Sequence, residues 1–321
     1  MRILITGASG LLGLNLALEL CRQHTVFGTA NQHALHTDAF TVLQADLLAP
    51  GALESLFEHT RPDWVIHCAA LANLEACEAD PVLASQLNTE LPRQLAQLCS
   101  ETRRDVTRGG ARLVHISTDA VFDGFRGDYT EADEPNPLGV YARTKLQAEW
   151  AVAEADPEAL IARVNLFGWS MSGRRSLAEF FFNNLSARKQ VMGFTDVIFC
   201  PLLANDIAHI LEKMLAMGLS GLYHTVSSEP LNKYEFGVCL AVRFGLDAGL
   251  IIPTSVHRGG LSATRAPNLS LRTEKLASAL GEPLPGLSPA LERFYTLYQQ
   301  GYPQVIQGLG GKGLGMSKVL S

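Results

Sequence analysis

Along the first half of the chain, short apolar, β-rich runs alternate with longer segments of helical period, the pattern of a parallel sheet with crossover helices. The runs are RILIT (2–6), TVFGT (25–29), FTVLQ (40–44), DWVIHC (63–68), RLVHIS (112–117) and LIARVN (160–165). Several are apolar at consecutive positions, so both faces should be covered by helices. Helical period falls between them at 11–22, 52–60, 81–104 and 141–155. This predicts a doubly wound α/β domain over residues 1–165. Beyond it the alternation loosens, with helices expected at 176–189, 204–217, 232–244, 273–280 and 288–300 and a strand, GLYHTV, at 221–226. A smaller substrate-binding lobe is assigned to 166–305, the chain being free to cross back between the two. The stretch GLGGKGLG at 308–315 predicts a flexible tail over 306–321.

Composition narrows the class. The 321 residues are 47% hydrophobic and 18% charged, ordinary globular material. The net charge of −6 is dispersed and leaves no basic patch for nucleic acid or an anionic membrane. No apolar run reaches the roughly 18 residues of a spanning helix. Cys21, Cys68, Cys77, Cys99, Cys200 and Cys239 are widely spaced without a CxxC, which reads as reduced thiols in a soluble, cytoplasmic protein. No His/Asp/Glu cluster has metal-ligand spacing, so no metal is expected.

The chemistry begins at TGASGLLG (6–13), where Gly7, Gly10 and Gly13 follow the first strand and open the first helix. Such a turn brings backbone N–H groups and the positive helix end to a pyrophosphate, while the third glycine lets helix and strand pack closely. The strand before it and the amphipathic segment after it are the context a dinucleotide site needs. Past the second strand, TANQHALHTD holds no carboxylate before Asp38 to bond a ribose 2′-hydroxyl, and no Arg or Lys for a 2′-phosphate. This tilts the expected cofactor to NADP(H) over NAD(H).

The GxxGxxG spacing resembles the extended branch of the short-chain dehydrogenase/reductase superfamily. That resemblance implies a Rossmann-type fold and a cofactor-binding set of Gly7, Ser9, Gly10, Leu11, Leu12, Gly13, Asn31, Asp46, Leu47, Cys68, Ala69 and Ala70. An Asp at position 46 reads equally well as a turn residue, and small residues at 68–70 equally well as packing. Asn88 occupies the helix position where extended members carry Asn, and is read as structural. The resemblance also implies a catalytic set. HISTDAVFDG (115–124) puts Thr118 at the carboxyl end of the fifth strand, and YARTK (141–145) puts Tyr141 and Lys145 four apart on one helical face.

Those residue types suit carbonyl reduction. A hydride delivered to a carbonyl leaves an alkoxide that must receive a proton as it forms. A phenol is a suitable donor, a neighbouring ammonium lowers its pKa, and the lysine's remaining donors can hold the nicotinamide ribose alongside Tyr141. Thr118 would hydrogen-bond the substrate oxygen.

STDAVFDG, YTEADEPNPLGVYARTKLQAE and RAPNLSLRTEKL (265–276) narrow the resemblance to the dTDP-4-dehydrorhamnose reductase (RmlD-like) group, over about residues 1–300. The group implies an NAD(P)-dependent reductase of a nucleotide-linked keto-deoxysugar, with substrate contacts from Thr118, Asn165 and Arg265. A homodimer is one possible assembly, and the sequence does not fix the oligomeric state. Arg174 and Arg175 are read as further cations on the same side. Two positions depart from the group: Ala120 stands where many members have Tyr, and Leu166 where they have Trp. The alternatives are a nucleotide-sugar epimerase or dehydratase that retains its cofactor, and a non-catalytic NADP-binding subunit similar to the regulatory β subunit of methionine adenosyltransferase.

Overall fold

Residues 1–104, 110–258 and 266–310 are described by a computed structural model. In chain order the first half runs β1 (Arg2–Thr6), α1 (Leu11–Leu20), β2 (Thr25–Ala30), β3 (Thr41–Gln44), α2 (Ala52–Thr60), β4 (Trp64–His67), α3 (Leu74–Ala79), α4 (Pro81–Ser85), α5 (Leu91–Arg104), β5 (Arg112–Thr118), α6 (Gly139–Ala155) and β6 (Leu160–Val164). The second half runs β7 (Leu166–Phe167), α7 (Leu177–Ser186), β8 (Val191–Phe194), β9 (Ile198–Phe199), β10 (Leu202–Leu203), α8 (Ala204–Ala216), β11 (Gly221–His224), β12 (Leu231–Asn232), α9 (Lys233–Phe244), β13 (Ile251–Thr254), α10 (Glu274–Leu280), α11 (Leu287–Gln299) and α12 (Tyr302–Gly308).

Seven of these strands form one parallel sheet in the order β3-β2-β1-β4-β5-β6-β11. Strand side chains alternate between faces, so Ile3, Ile5 and Ile66 join one buried cluster while Leu4, Val65 and Leu113 join another on the opposite side. That is why the strands read as continuous apolar runs. Strand order reverses between β1 and β4, and their carboxyl ends splay connections to opposite sides and open a crevice there. All nine residues of α1 from Leu12 to Leu20 are buried, because the sheet covers one side of the helix and α8 packs on another.

Three departures from the sequence expectations have physical causes. The run at 221–226 joins the central sheet: β11 pairs with β6 in register Gly221↔Leu160 to His224↔Arg163, so the chain returns to the sheet after leaving it. The single helix expected over 81–104 is interrupted by a π turn at Gln86–Glu90. The expected tail starts too early. α12 follows a left-handed Gly301 (φ +75°), buries Ile306 and Leu309, and its Tyr302 hydroxyl donates to Asn15 Oδ1 at 2.8 Å. Residues 311–321 of the tail lie outside the described residues.

The distal helix should therefore contribute to stability. Ile306, fully buried, is expected to lower the unfolding free energy by about 2–4 kcal/mol when replaced by Ala. Denaturant titration of Ile306→Ala measures it, and a loss below about 0.5 kcal/mol, the range of surface substitutions, would show the helix unpacked in solution.

Candidate active site

The glycine turn is shaped by two backbone approaches. Gly7 has φ +70°, and a Cβ on it would meet the Ala69 backbone at 2.8 Å. A Cβ on Gly13 would stand 2.4 Å from the Gly7 carbonyl oxygen. Turn, helix and β4 end thus touch through backbone alone, and only glycine permits it. Gly10 caps α1 without a side-chain hydrogen bond, leaving the amides of Leu11, Leu12 and Gly13 directed out of the helix. A ten-residue helix whose first amides have no capping side chain fits the diphosphate of a dinucleotide. Ser9 lies half-buried in the same turn, Asn31 is exposed just past β2, Asp46 is exposed with Oδ1 accepting from the Leu48 amide, and Leu47 is buried.

Beyond β4, Cys68, Ala69 and Ala70 pass over the sheet edge, Cys68 and Ala69 half-buried and Ala70 exposed. Asn88, inside the π turn, fixes this segment. Its Oδ1 accepts from the Leu71 amide at 2.8 Å, and its amide donates to Leu71 O and Thr144 Oγ1, both at 3.1 Å. Thr89 Oγ1 adds a bond to Thr144 O at 2.8 Å. The π turn, where one extra residue rotates Asn88 inward, joins the loop beyond β4 to the helix that carries Tyr141 and Lys145.

Thr118, Tyr141 and Lys145 come together at the crevice. Thr118 ends β5, its hydroxyl accepting from the Ala120 amide and donating to Asp119 Oδ1, both at 3.1 Å. Tyr141 and Lys145 lie one turn apart on α6. Burial and the nearby Asp119 carboxylate push the Tyr141 phenol up to about 12. Lys145, buried, donates to Ile116 O at 2.7 Å and lies 3.2 Å from His115 Nε2. Desolvation pushes its ammonium down to about 8, with Glu149 and Cys68 pulling it back up. The arrangement is a protonated phenol beside a poised ammonium.

Two cavities meet at Tyr141. One, of about 280 Å³, is lined by Leu12, Cys68, Ala70, Thr118 and Lys145, beside the glycine turn's helix. The other, of about 260 Å³, is lined by Ala120, Leu166, Phe199, Lys233 and Leu269 among others. Asn165 lines both, and its amide donates to Asp119 Oδ2 at 2.5 Å. Ala120 and Leu166, the two departures from the aromatic pattern, both face the second cavity. Arg174 instead lines a separate groove with Phe180 and Asn183, and Arg175 is exposed, so neither lines the cavities that meet at Tyr141; loop 170–176 is turned toward α7, where Glu179 accepts from its backbone. Arg265 lies outside the described residues. Sequence reasoning gave no role to Asp119, Lys233, His115 or Glu149. Asp119 and His115 stood within the quoted HISTDAVFDG, beside the residues that were chosen.

Fold and site together define an extended short-chain dehydrogenase/reductase, an NAD(P)-dependent oxidoreductase. Within that class the chain belongs to the family described as RmlD substrate binding domain, which matches residues 1–300. It is 31% identical over 306 residues to the probable low-salt glycan biosynthesis reductase Agl14 of Haloferax volcanii, spanning 93% of this chain and 99% of that protein. It is 32% identical over 285 residues to methionine adenosyltransferase 2 subunit beta of Mus musculus, spanning 86% and 81%. Among solved structures, a dTDP-4-dehydrorhamnose reductase from Clostridium acetobutylicum superposes with TM-score 0.79 at 26% identity, covering 93% of this chain and all of that one, 100%. The fold is also that of the Bacillus anthracis dTDP-4-dehydrorhamnose reductase in complex with NADP, at TM-score 0.76, 24% identity and coverage of 92% and 98%.

Gly13→Ala places a methyl against backbone that cannot turn aside. Overpacking of this kind costs about 1–3 kcal/mol, and displacement of the turn is expected to weaken nicotinamide-dinucleotide binding about tenfold or more. Fluorescence titration reads the change. Gly308→Ala, with open space around its Cβ, is the control and should bind as the parent does.

Proposed function

We propose that the protein reduces the keto group of a nucleotide-linked deoxysugar or a related carbonyl compound, with NADPH preferred and Tyr141 as proton donor. The observation that carries this reading is the position of Tyr141 at the junction of the two cavities, with Thr118 and Lys145 on its cofactor side. A bound nicotinamide would supply the hydride. Leu11, Leu12 and Gly13 would hold its diphosphate through their amides, and Lys145 its ribose.

Tyr141 holds its proton at Oη across the physiological range because burial and Asp119 disfavour the phenolate. Thr118 Oγ1, which lines the same cavity as the phenol, would fix the substrate oxygen between the two hydroxyls. As the proton moves to the forming alkoxide, the Lys145 charge stabilises the phenolate left behind. The second cavity supports a deoxysugar: Ala120, Leu166, Phe199 and Leu269 offer apolar walls to a methyl group, while Lys233 and Asn165 supply polar contacts. The exposed Asn31 at the end of β2, without a carboxylate beside it, favours NADPH.

The mouse relative named as an adenosyltransferase subunit favours a second reading, in which the same fold serves an assembly with a partner enzyme. The assembled Thr118–Tyr141–Lys145 set supports catalysis over it. A screen of nucleotide-4-ketosugars with NADPH and NADH, followed by absorbance loss, decides: stoichiometric NADPH consumption is expected. Tightly retained cofactor with no net consumption points to an epimerase or dehydratase, and a stable complex with an adenosyltransferase and no turnover points to the subunit role.

Tyr141→Phe is expected to lower kcat by about 10²–10⁴, the usual contribution of a positioned general acid, with cofactor affinity nearly unchanged. Full activity in that variant would remove the phenol from the mechanism.

The pH dependence follows from Lys145. Its charged form is the active one and its pKa is lowered, so carbonyl reduction should be sustained at neutral pH and fall as pH rises through about 8. A kcat/KM profile flat to pH 10, near an ordinary lysine's pKa, would contradict it.

A further inference from the structure

We propose that His115 is a positioning residue for Lys145, a neutral imidazole that receives one ammonium N–H at Nε2 and holds the charge in the crevice without cancelling it. The proposal rests on the reading of Lys145 as the electrostatic partner of Tyr141.

An ammonium has three donors and no lone pair, so at 3.2 Å His115 Nε2 must accept and the ring proton must sit on Nδ1. Ile116 O takes a second donor at 2.7 Å. Tetrahedral geometry then leaves the third for the cavity shared with Leu12, Thr118 and Tyr141. His115 is itself anchored from below. Its ring stacks on His67, with centroids 5.7 Å apart and an interplanar angle of 24°. His67 Nδ1 is 2.7 Å from Thr6 Oγ1. A polar column thus crosses β1, β4 and β5, Thr6 to His67 to His115, and ends at Lys145.

Packing does not explain this column. Both imidazoles are buried, yet His115 Nδ1 and His67 Nε2 have no hydrogen-bond partner among the described residues. Buried polar atoms left in that condition are uncommon, and a leucine would fill much of the same space without them. What an imidazole adds is a neutral acceptor. The groups facing Lys145 are Cys68 and His67 from β4 and its end, His115 from β5, Asp119 from the turn after β5, and Tyr141 and Glu149 from α6. Glu149 is engaged elsewhere, accepting from Arg163 of β6 at 2.9 and 2.7 Å and from Ser117. A carboxylate in the place of His115 would hold the ammonium equally well but neutralise its field at Tyr141. Burial and the Lys145 charge keep both imidazoles unprotonated, so neither adds a repelling cation.

The test separates positioning from mere filling. His115→Leu deletes the acceptor, His115→Asn carries an amide too short to reach the ammonium, and His115→Gln returns an acceptor near the Nε2 position. The titration of Lys145 is followed by NMR in cofactor-free protein carrying 13C-labelled lysine, with Lys145→Arg assigning the resonance. Losing an acceptor that favours the charged form should lower the Lys145 midpoint by about half a pH unit or more in the Leu and Asn variants. The alkaline limb of kcat/KM should move with it, and the Gln variant should restore both. A folded Leu or Asn variant whose Lys145 titrates as in the parent overturns the proposal. Should only the Gln variant fold, a parental midpoint supports it and a displaced one overturns it. A midpoint that moves as expected in a protein that reduces no carbonyl would overturn the reductase reading and leave the positioning intact.

Discussion

A buried lysine ammonium hydrogen-bonded by neutral acceptors, one helical turn from a phenol, is the constraint around which this crevice is built. Burial of a charge is costly unless it is hydrogen-bonded, and here the hydrogen bonds come from a strand carbonyl and an imidazole. Both are neutral. The carboxylate one turn further along α6, Glu149, would be the natural partner by helix spacing, but Arg163 binds it through two bonds and Ser117 through a third. The Lys145 charge is therefore hydrogen-bonded by neutral groups, and Glu149 acts on it only through space.

That condition explains why the site sits where it does. β5 supplies His115, the Ile116 carbonyl, Ser117 and Thr118 in succession, alternate residues facing opposite sides of the sheet. His115 and Ser117 share the face turned to α6, where Lys145 and Glu149 meet them, and Thr118 ends the strand at the crevice. α6 must lie in fixed register against β5, and the π turn at Gln86–Glu90 secures that register from outside, with Asn88 and Thr89 bonded to Thr144 in the turn between Tyr141 and Lys145. The loop beyond β4 is held by the same asparagine at Leu71. One side chain thereby links that loop to the helix bearing Tyr141 and Lys145.

How much of this was legible in the sequence depended on the range of the interaction. The sheet and the glycine turn declare themselves locally, because strand burial imposes consecutive apolar residues and Gly7 and Gly13 are demanded by backbone contacts within their own unit and the adjacent strand. Thr118, Tyr141 and Lys145 could be chosen because their residue types and spacing match a known pattern. The rest depends on pairings across long separations. Nothing near GLYHTV indicates that it completes the sheet beside β6, since that follows from a return crossing through α8. The apolar residues Ile306 and Leu309 were masked by the glycines around them, and their burial depends on a pocket formed by the rest of the chain. Arg174 and Arg175 sat at the expected place in sequence, but the capping of α7 by Ser176 and Glu179 turns their loop aside.

The electrostatics of the crevice push its two titratable groups apart. Burial moves the Tyr141 phenol up to about 12 and the Lys145 ammonium down to about 8, both by disfavouring the charged form. A phenol raised in this way is a proton donor that remains loaded, which suits reduction, but it would be a poor base for the reverse reaction. Cationic charge arriving at the cofactor side would lower the phenol again, whereas a neutral reduced ring would not. Asp119, buried and bonded to Asn165 and Thr118, adds to the upward shift, because a negative charge near the phenol opposes its ionisation.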